Sequence, residues 1–213
     1  EKFLRLKNLI LLIYNEDKLK LLKVYNKNNI FPFQKLYVPP QNILISNNKI
    51  NRKKDNLKNK FLANGSWDKD LVDLKSHPAI NASYLVSKFN LKWSDLGEEE
   101  RLFSLIEKYK EFDNCKNKKE IKQRLYLLSK YLEKMKLEKD RSSHSHNPFS
   151  FLSLTGPQVA ISRDGRIVKV GDGQHRIGFA LGLSMPYIEV SLRACHPIFL
   201  NNLHLYRKKK FVL

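Results

Sequence analysis

The chain predicts an α+β fold with a small mixed sheet and a helical insertion, on three observations. Residues 1–50 carry short apolar runs cut by Asn and Pro, a helical period runs from 68 to 138, and Val159 to Leu192 reads as strand, glycine turn, helix, strand. At 213 residues the sequence has room for one large domain or two small ones. It reads as a single domain over 1–213, with the insertion at 68–138 and a basic tail at 203–213. A hydrophobic fraction of 42%, with 12 Phe, 9 Tyr and 2 Trp, is enough for a core and excludes a wholly disordered chain.

Taken in order, the first fifty residues favour strands. The apolar run Leu9 to Tyr14 is far short of the roughly 18 residues that cross a bilayer. Glu16 and Asp17 follow it with no small-x-small cleavage site, so it predicts a buried element rather than a span or a leader. A start at Glu rather than Met is what a trimmed or partial chain would show. Pro39-Pro40 ends the run Leu36-Tyr37-Val38, and Asn47-Asn48 between Ile43-Leu44-Ile45 and Ile50 suits a hairpin turn. Residues 51–60 read as an exposed basic loop, either solvated or touching phosphate.

Leu102, Leu105, Ile106, Tyr109 and Phe112 fall on one helical face, with Asp95 and Glu98 spaced as an N-terminal capping box. A second helix is predicted over 117–138, striped by Ile121, Leu125, Leu128, Leu132 and Met135. That stripe either packs on the first helix or docks a partner. Residues 139–157 then form a loop long enough to serve as a lid, in which His144 and His146 lack the further ligands of a metal site.

Chemistry concentrates after this loop. Val159-Ala160-Ile161 and Ile167 to Val170 make a hairpin that reverses at Asp164-Gly165, and Gly171-Asp172-Gly173-Gln174-His175-Arg176 follows directly. A glycine turn that opens a helix brings backbone N–H groups and the positive end of the helix dipole to one place, which suits a phosphate. His175 offers a proton near neutral pH and Arg176 a planar fork. Asp172 is placed to hold Mg²⁺, to accept a proton, or to cap the helix. The glycines are equally what a sharp strand-to-helix reversal needs.

Charge and cysteine content bound the partners. Forty Lys and Arg against 21 Asp and Glu give +19, which fits a polyanionic partner such as nucleic acid or nucleotide, and is also what compositional drift toward Lys and Asn produces. Cys115 and Cys195 alone make neither a disulfide framework nor a metal knuckle, so a reducing, cytoplasmic setting is expected. The tail Tyr206 to Phe211 is basic with aromatic flanks, suited to nucleic-acid contact or simply to solubility.

Through Gly173, His175, Arg176, Ala180 and Gly182, then Pro186 and Ile188-Glu189-Val190, the passage Val159 to Val190 resembles the ParB/sulfiredoxin-like superfamily, also described as the ParB-like nuclease domain. The resemblance implies that Gly171, Gly173, Gln174, His175 and Arg176 bind nucleotide phosphates, with ATP or CTP and Mg²⁺ as the expected ligands. Members include DNA-partition CTPases, a kinase for free serine, nuclease-like proteins and sulfiredoxins. Gln174 stands where sulfiredoxins carry their catalytic cysteine, and Gly178 where partition proteins carry a second Arg; no helix-turn-helix fits after Leu192. Gly65-Ser66-Trp67-Asp68 and the segment Arg193 to His196 look like a bacterial subgroup with a Gly-x-Trp-Asp motif. That likeness makes Asp68 a candidate base or metal ligand and Trp67 a cleft wall, against a buried Trp beside a helix-capping Asp; Arg193 and His196 become candidate phosphate contacts just beyond a strand end, where a surface polar cluster is equally ordinary. The functional expectation is therefore a phosphotransferase or NTPase, with Asp172, His175 and Asp68 as catalytic candidates. A non-catalytic or nuclease-like DNA-binding protein is the alternative.

Overall fold

The computed structural model describes residues 35–46, 61–139 and 156–201. In chain order its elements are β1 (Lys35–Val38), β2 (Ile43–Ser46), β3 (Leu71–Asp73), α1 (Pro78–Phe89), α2 (Glu98–Tyr109), α3 (Lys118–Lys139), β4 (Gln158–Ile161), β5 (Ile167–Lys169), α4 (Gln174–Gly182), β6 (Ile188–Cys195) and α5 (Pro197–Asn201). This is a mixed α+β fold. The run Leu9 to Tyr14, the turn Asn47-Asn48, the basic stretch 51–60, His144, His146 and the tail 203–213 lie outside the described residues.

The described residues fall into two compact units. One comprises 35–46, 61–74, 156–173 and 187–201 and holds every strand of a six-stranded mixed sheet, ordered β1-β6-β4-β5-β2-β3. Pairing is antiparallel for β1/β6, β4/β5 and β2/β3, and parallel for β4/β6 and β2/β5. In β1 the pattern Lys-Leu-Tyr-Val alternates as a strand buried on one face must, with Leu36 and Val38 inward. The central strands are apolar on both faces: Val159, Ala160, Ile161 and Val168 are each no more than 1% exposed. The β4/β5 hairpin pairs Ile161 with Ile167, and its turn closes with Gly165 N–H donating to the Ser162 carbonyl at 3.1 Å.

Strand β6 extends further than its apolar start suggests, to Cys195. After a bulge between Val159 and Ala160, Ala160 pairs with Ala194 and Ile161 with Cys195, which keeps the ladder running. Phe61 to Ala63 adds backbone to the end of that strand: Cys195 N–H donates to the Phe61 carbonyl at 2.7 Å and Ala63 N–H to the Cys195 carbonyl at 3.1 Å. The Gly-x-Trp-Asp motif is thereby anchored to the sheet. Trp67 closes a cluster with Ala63, Ala160, Val168, Val170 and Ala194.

The second unit comprises 75–139 and 174–186 and is helical. Helix α3 has Ile121, Leu125, Leu132 and Met135 buried along its predicted stripe. A reciprocal cap starts it: Glu120 N–H donates to Asn117 Oδ1 at 3.0 Å, while Glu120 Oε2 accepts from Lys116 N–H at 2.7 Å.

The capping box expected at Asp95 and Glu98 is absent from α2. Gly97, at φ +61°, occupies the cap; Asp95 instead accepts from Lys92 N–H at 2.9 Å in the preceding turn, and Glu98 binds Arg101. Leu102 and Ile106 are buried as the period requires, but the helix stops at Tyr109, leaving Tyr109 and Phe112 exposed. Past that end, Phe112 and Cys115 exchange backbone hydrogen bonds around Asp113 (φ +54°) and Asn114 (φ +60°), a tight turn of type I′ geometry.

Helices α1 and α4 approach closely along small residues. A methyl added at Gly178 would sit 2.5 Å from the Ile80 carbonyl oxygen and 2.6 Å from Ser83 Cβ; one at Gly182 would sit 1.9 Å from Ser87 Oγ. Gly178 is therefore set by volume: no side chain fits between the two backbones.

Candidate functional site

The turn after β5 belongs to the sheet unit. Val170 N–H donates to the Gln158 carbonyl and Gln158 N–H to the Asp172 carbonyl, both at 3.1 Å, so the turn is pinned to the start of β4. Lys169 is buried, and its Nζ donates to the Gly171 carbonyl at 2.6 Å. Gly173 has φ +91°, and a Cβ there would meet Pro157 Cα at 2.5 Å. Both facts demand glycine whether or not a ligand binds. Asp172 is exposed, and its carboxylate makes no hydrogen bond or ion pair among the described residues. From Gly171 to Arg176 no backbone N–H is donated to a carbonyl outside the helix among those residues.

The chain passes into the helical unit at Gln174, the first residue of α4. His175, next along, is buried, with Nδ1 2.9 Å from Ser83 Oγ. Ser83 Oγ also donates to the Ala79 carbonyl at 2.7 Å, so the hydroxyl bridges that carbonyl and the imidazole. On the other side His175 Nε2 lies 3.8 Å from Asp113 Oδ2, an ion-pair distance rather than a hydrogen bond. Asp113 also takes a short contact from Arg124 Nε. Burial pushes the Asp113 carboxyl up, but the His175 ring and the Arg124 guanidinium outweigh it and hold the group below the usual carboxylate range. Trp93 meets the His175 ring edge-on at 6.1 Å and donates Nε1–H to Ser129 Oγ at 2.9 Å. His175 therefore points into the helical unit. Arg176 is half-buried, its guanidinium 5.1 Å above the Tyr131 ring.

A second polar cluster stands in the sheet unit. Asp68, 3% exposed, receives Arg163 through its backbone N–H (2.7 Å), Nε (3.0 Å) and Nη2 (2.7 Å), and Arg163 Nη2 also donates to the Gly65 carbonyl at 2.9 Å. Burial alone would raise the Asp68 carboxyl; the Arg163 bonds and charge reverse that and lower it. His196 lies beside them, 4% exposed, its ring 6.2 Å from Trp67. Its Nδ1 accepts from Ile198 N–H at 3.2 Å, and Gly65 supplies a backbone acceptor to the ring's other side. Burial pushes the His196 ring below its ordinary value, more than Asp68 and Gly65 restore.

Of the residues singled out in the sequence, Asp68 and His196 come together in this cluster, and Gly171, Asp172 and Gly173 share the turn of the same unit. Gln174, His175 and Arg176 form the first turn of α4 in the other. Arg193 lies within β6 rather than beyond its end, because the strand continues to Cys195, and burial lowers its guanidinium from the ordinary value. Trp67, 1% exposed, is core rather than a cleft wall. Ser83, Asp113, Arg124 and Arg163 were not singled out in the sequence as site residues. The Asp113-Asn114 pair was a readable turn signal, whereas nothing local marks Ser83 or Arg163 as partners of residues over ninety positions away.

Among the described residues no three of His, Cys, Asp and Glu gather where they could hold a metal ion, and no helix is long and apolar enough to cross a membrane. Fold and site thus define a mixed α+β protein whose glycine turn leads into a helix with an arginine in its first turn. Compared with protein-family models, with curated proteins and with solved structures, the chain matches none.

Proposed function

We propose that the chain is a nucleotide-binding protein of the ParB/sulfiredoxin type, which holds nucleoside triphosphate phosphates at Gly171 to Arg176 and transfers or hydrolyses a phosphoryl group. The observation that carries this reading is the start of α4, where the backbone N–H groups of Gln174, His175 and Arg176 meet no carbonyl acceptor outside the helix among the described residues. Such groups at a helix start attract an oxyanion. Arg176 supplies charge for phosphate oxygens.

Asp172 suits Mg²⁺, because that ion takes one or two carboxylates together with the phosphates of its ligand rather than a full protein cage. Its oxygen donor is the right chemistry, and the carboxylate has no partner among the described residues. When bound, Mg²⁺ would offset charge on the phosphate oxygens. As the alternative to holding the ion, Asp172 is a better candidate for the base than Asp68, which is committed to Arg163. His175, clasped by Ser83 and Asp113, serves as a positioning residue for the α4 start in place of touching phosphate.

Calorimetry with ATP, CTP and GTP in Mg²⁺ tests the reading. Binding of one of them, lost in Arg176→Ala with the circular dichroism unchanged, is the expected result. Equal affinity of that variant and the parent chain would refute the role of Arg176, and absence of any binding would refute the function.

A further inference from the structure

We propose that the outward face of α3 is a docking surface for single-stranded nucleic acid, its lysines meeting phosphates and Tyr126 stacking on a base. Packing uses one stripe of this helix, in which Ile121, Leu125, Leu132 and Met135 are buried. Away from them, Tyr126, Leu127 and Leu137 are 60%, 57% and 71% exposed. Lys122, Tyr126, Lys130 and Lys134, all exposed, recur every fourth residue and so form one ridge with steps of about 6 Å.

Charge and ring chemistry together select the partner. Within α3 eight Lys or Arg stand against three Glu. Glu133, beside the ridge, is already bound to Lys136 at 2.8 Å, and Lys122 reaches Glu99 at 3.6 Å. Lys130 Nζ lies 5.4 Å from the Tyr126 ring centroid, so a cation and an aromatic plane are presented side by side. A strand of nucleotides offers that same alternation of anion and planar ring, and base–aromatic stacking with backbone neutralisation is how single strands are held. A bilayer fits worse, because inserting Leu127 and Leu137 would drag Lys130 and Lys134 out of water. None of these residues belongs to the turn at Gly171 to Gly173, and the proposal does not depend on the nucleotide reading.

The test is fluorescence anisotropy of a labelled oligothymidylate across a potassium chloride series. The parent chain should bind, with log affinity falling linearly in log salt. Lys122→Glu/Lys130→Glu/Lys134→Glu should flatten that slope by about 0.7 for each phosphate no longer neutralised. Tyr126→Ala should weaken binding about tenfold without changing the slope, and Tyr126→Trp should restore it. Circular dichroism of each variant confirms that α3 persists. The proposal is overturned if the parent chain ignores the oligonucleotide, if the α3 variants bind it as well as the parent does, or if α3-dependent binding is found only on anionic vesicles.

Discussion

Ser83 Oγ stands between two partners: His175 Nδ1, 2.9 Å away, and the Ala79 carbonyl, to which it donates at 2.7 Å. A side chain of α1 thus engages the imidazole inside the helical unit. That contact explains why a residue that the sequence offers to a ligand is turned inward.

Ser83→Ala should therefore cost more than a methyl-for-hydroxyl exchange on a helix surface. The variant leaves a buried ring nitrogen without its hydrogen-bond partner, a loss of about 1–3 kcal/mol. Urea denaturation of the two proteins checks it, and a midpoint unchanged within error would show that the pair is not stabilising.

Gly178→Ala is expected to destabilise by about 1–3 kcal/mol, because the new methyl would sit 2.5 Å from a backbone carbonyl oxygen that cannot step aside. Thermal unfolding reads this directly. An equal or higher Tm would mean that α1 and α4 are free to separate.

Acid should weaken the sheet unit in two stages. His196 has its folded value below its unfolded one, so the unfolded chain takes up the proton first and stability declines as pH drops below about 6.5. Protonation also sets an Nδ1–H against Ile198 N–H. Asp68, lowered by Arg163, keeps its contribution until pH falls below about 3.9 and loses it on the way down to its folded value. Denaturation midpoints against pH should show both stages in the parent chain and only the second in His196→Gln. An identical upper stage in that variant would assign it to another group.

Lys110→Gly should raise stability by about 0.5–1 kcal/mol. Lys110 ends α2 at φ +68°, where its N–H donates to the Ile106 carbonyl at 2.7 Å and its Cβ carries a penalty that glycine lacks. A lower Tm would show that the side chain has an unrecognised contact.

Periodicity carried the elements well where one physical signal acted alone. The α3 stripe and the hairpin that turns at Asp164-Gly165 are as the spacing and turn residues require. It failed at α2, because Asp95 and Glu98 satisfy the capping spacing yet Gly97 can reach the left-handed conformation more cheaply and takes the cap. It also missed how far β6 runs, since Ser191 and Arg193 break the apolar pattern and only pairing with β4 carries the strand to Cys195. The candidate site was visible as a string of residue types at 171–176. Its partners were not, for Ser83 and Asp113 meet His175 only because two helices and a tight turn converge there.

The seam between α1 and α4 also bears on how such a sequence can change over generations. The chain is rich in lysine and asparagine, residues that exposed helix and loop positions ordinarily tolerate. Positions 178 and 182 accept neither, since even a methyl collides there. Relatives that have drifted far in composition should still be traceable by two glycines four apart on one helix facing two serines four apart on another. That spacing is a fingerprint set by volume alone, indifferent to whatever chemistry each descendant performs.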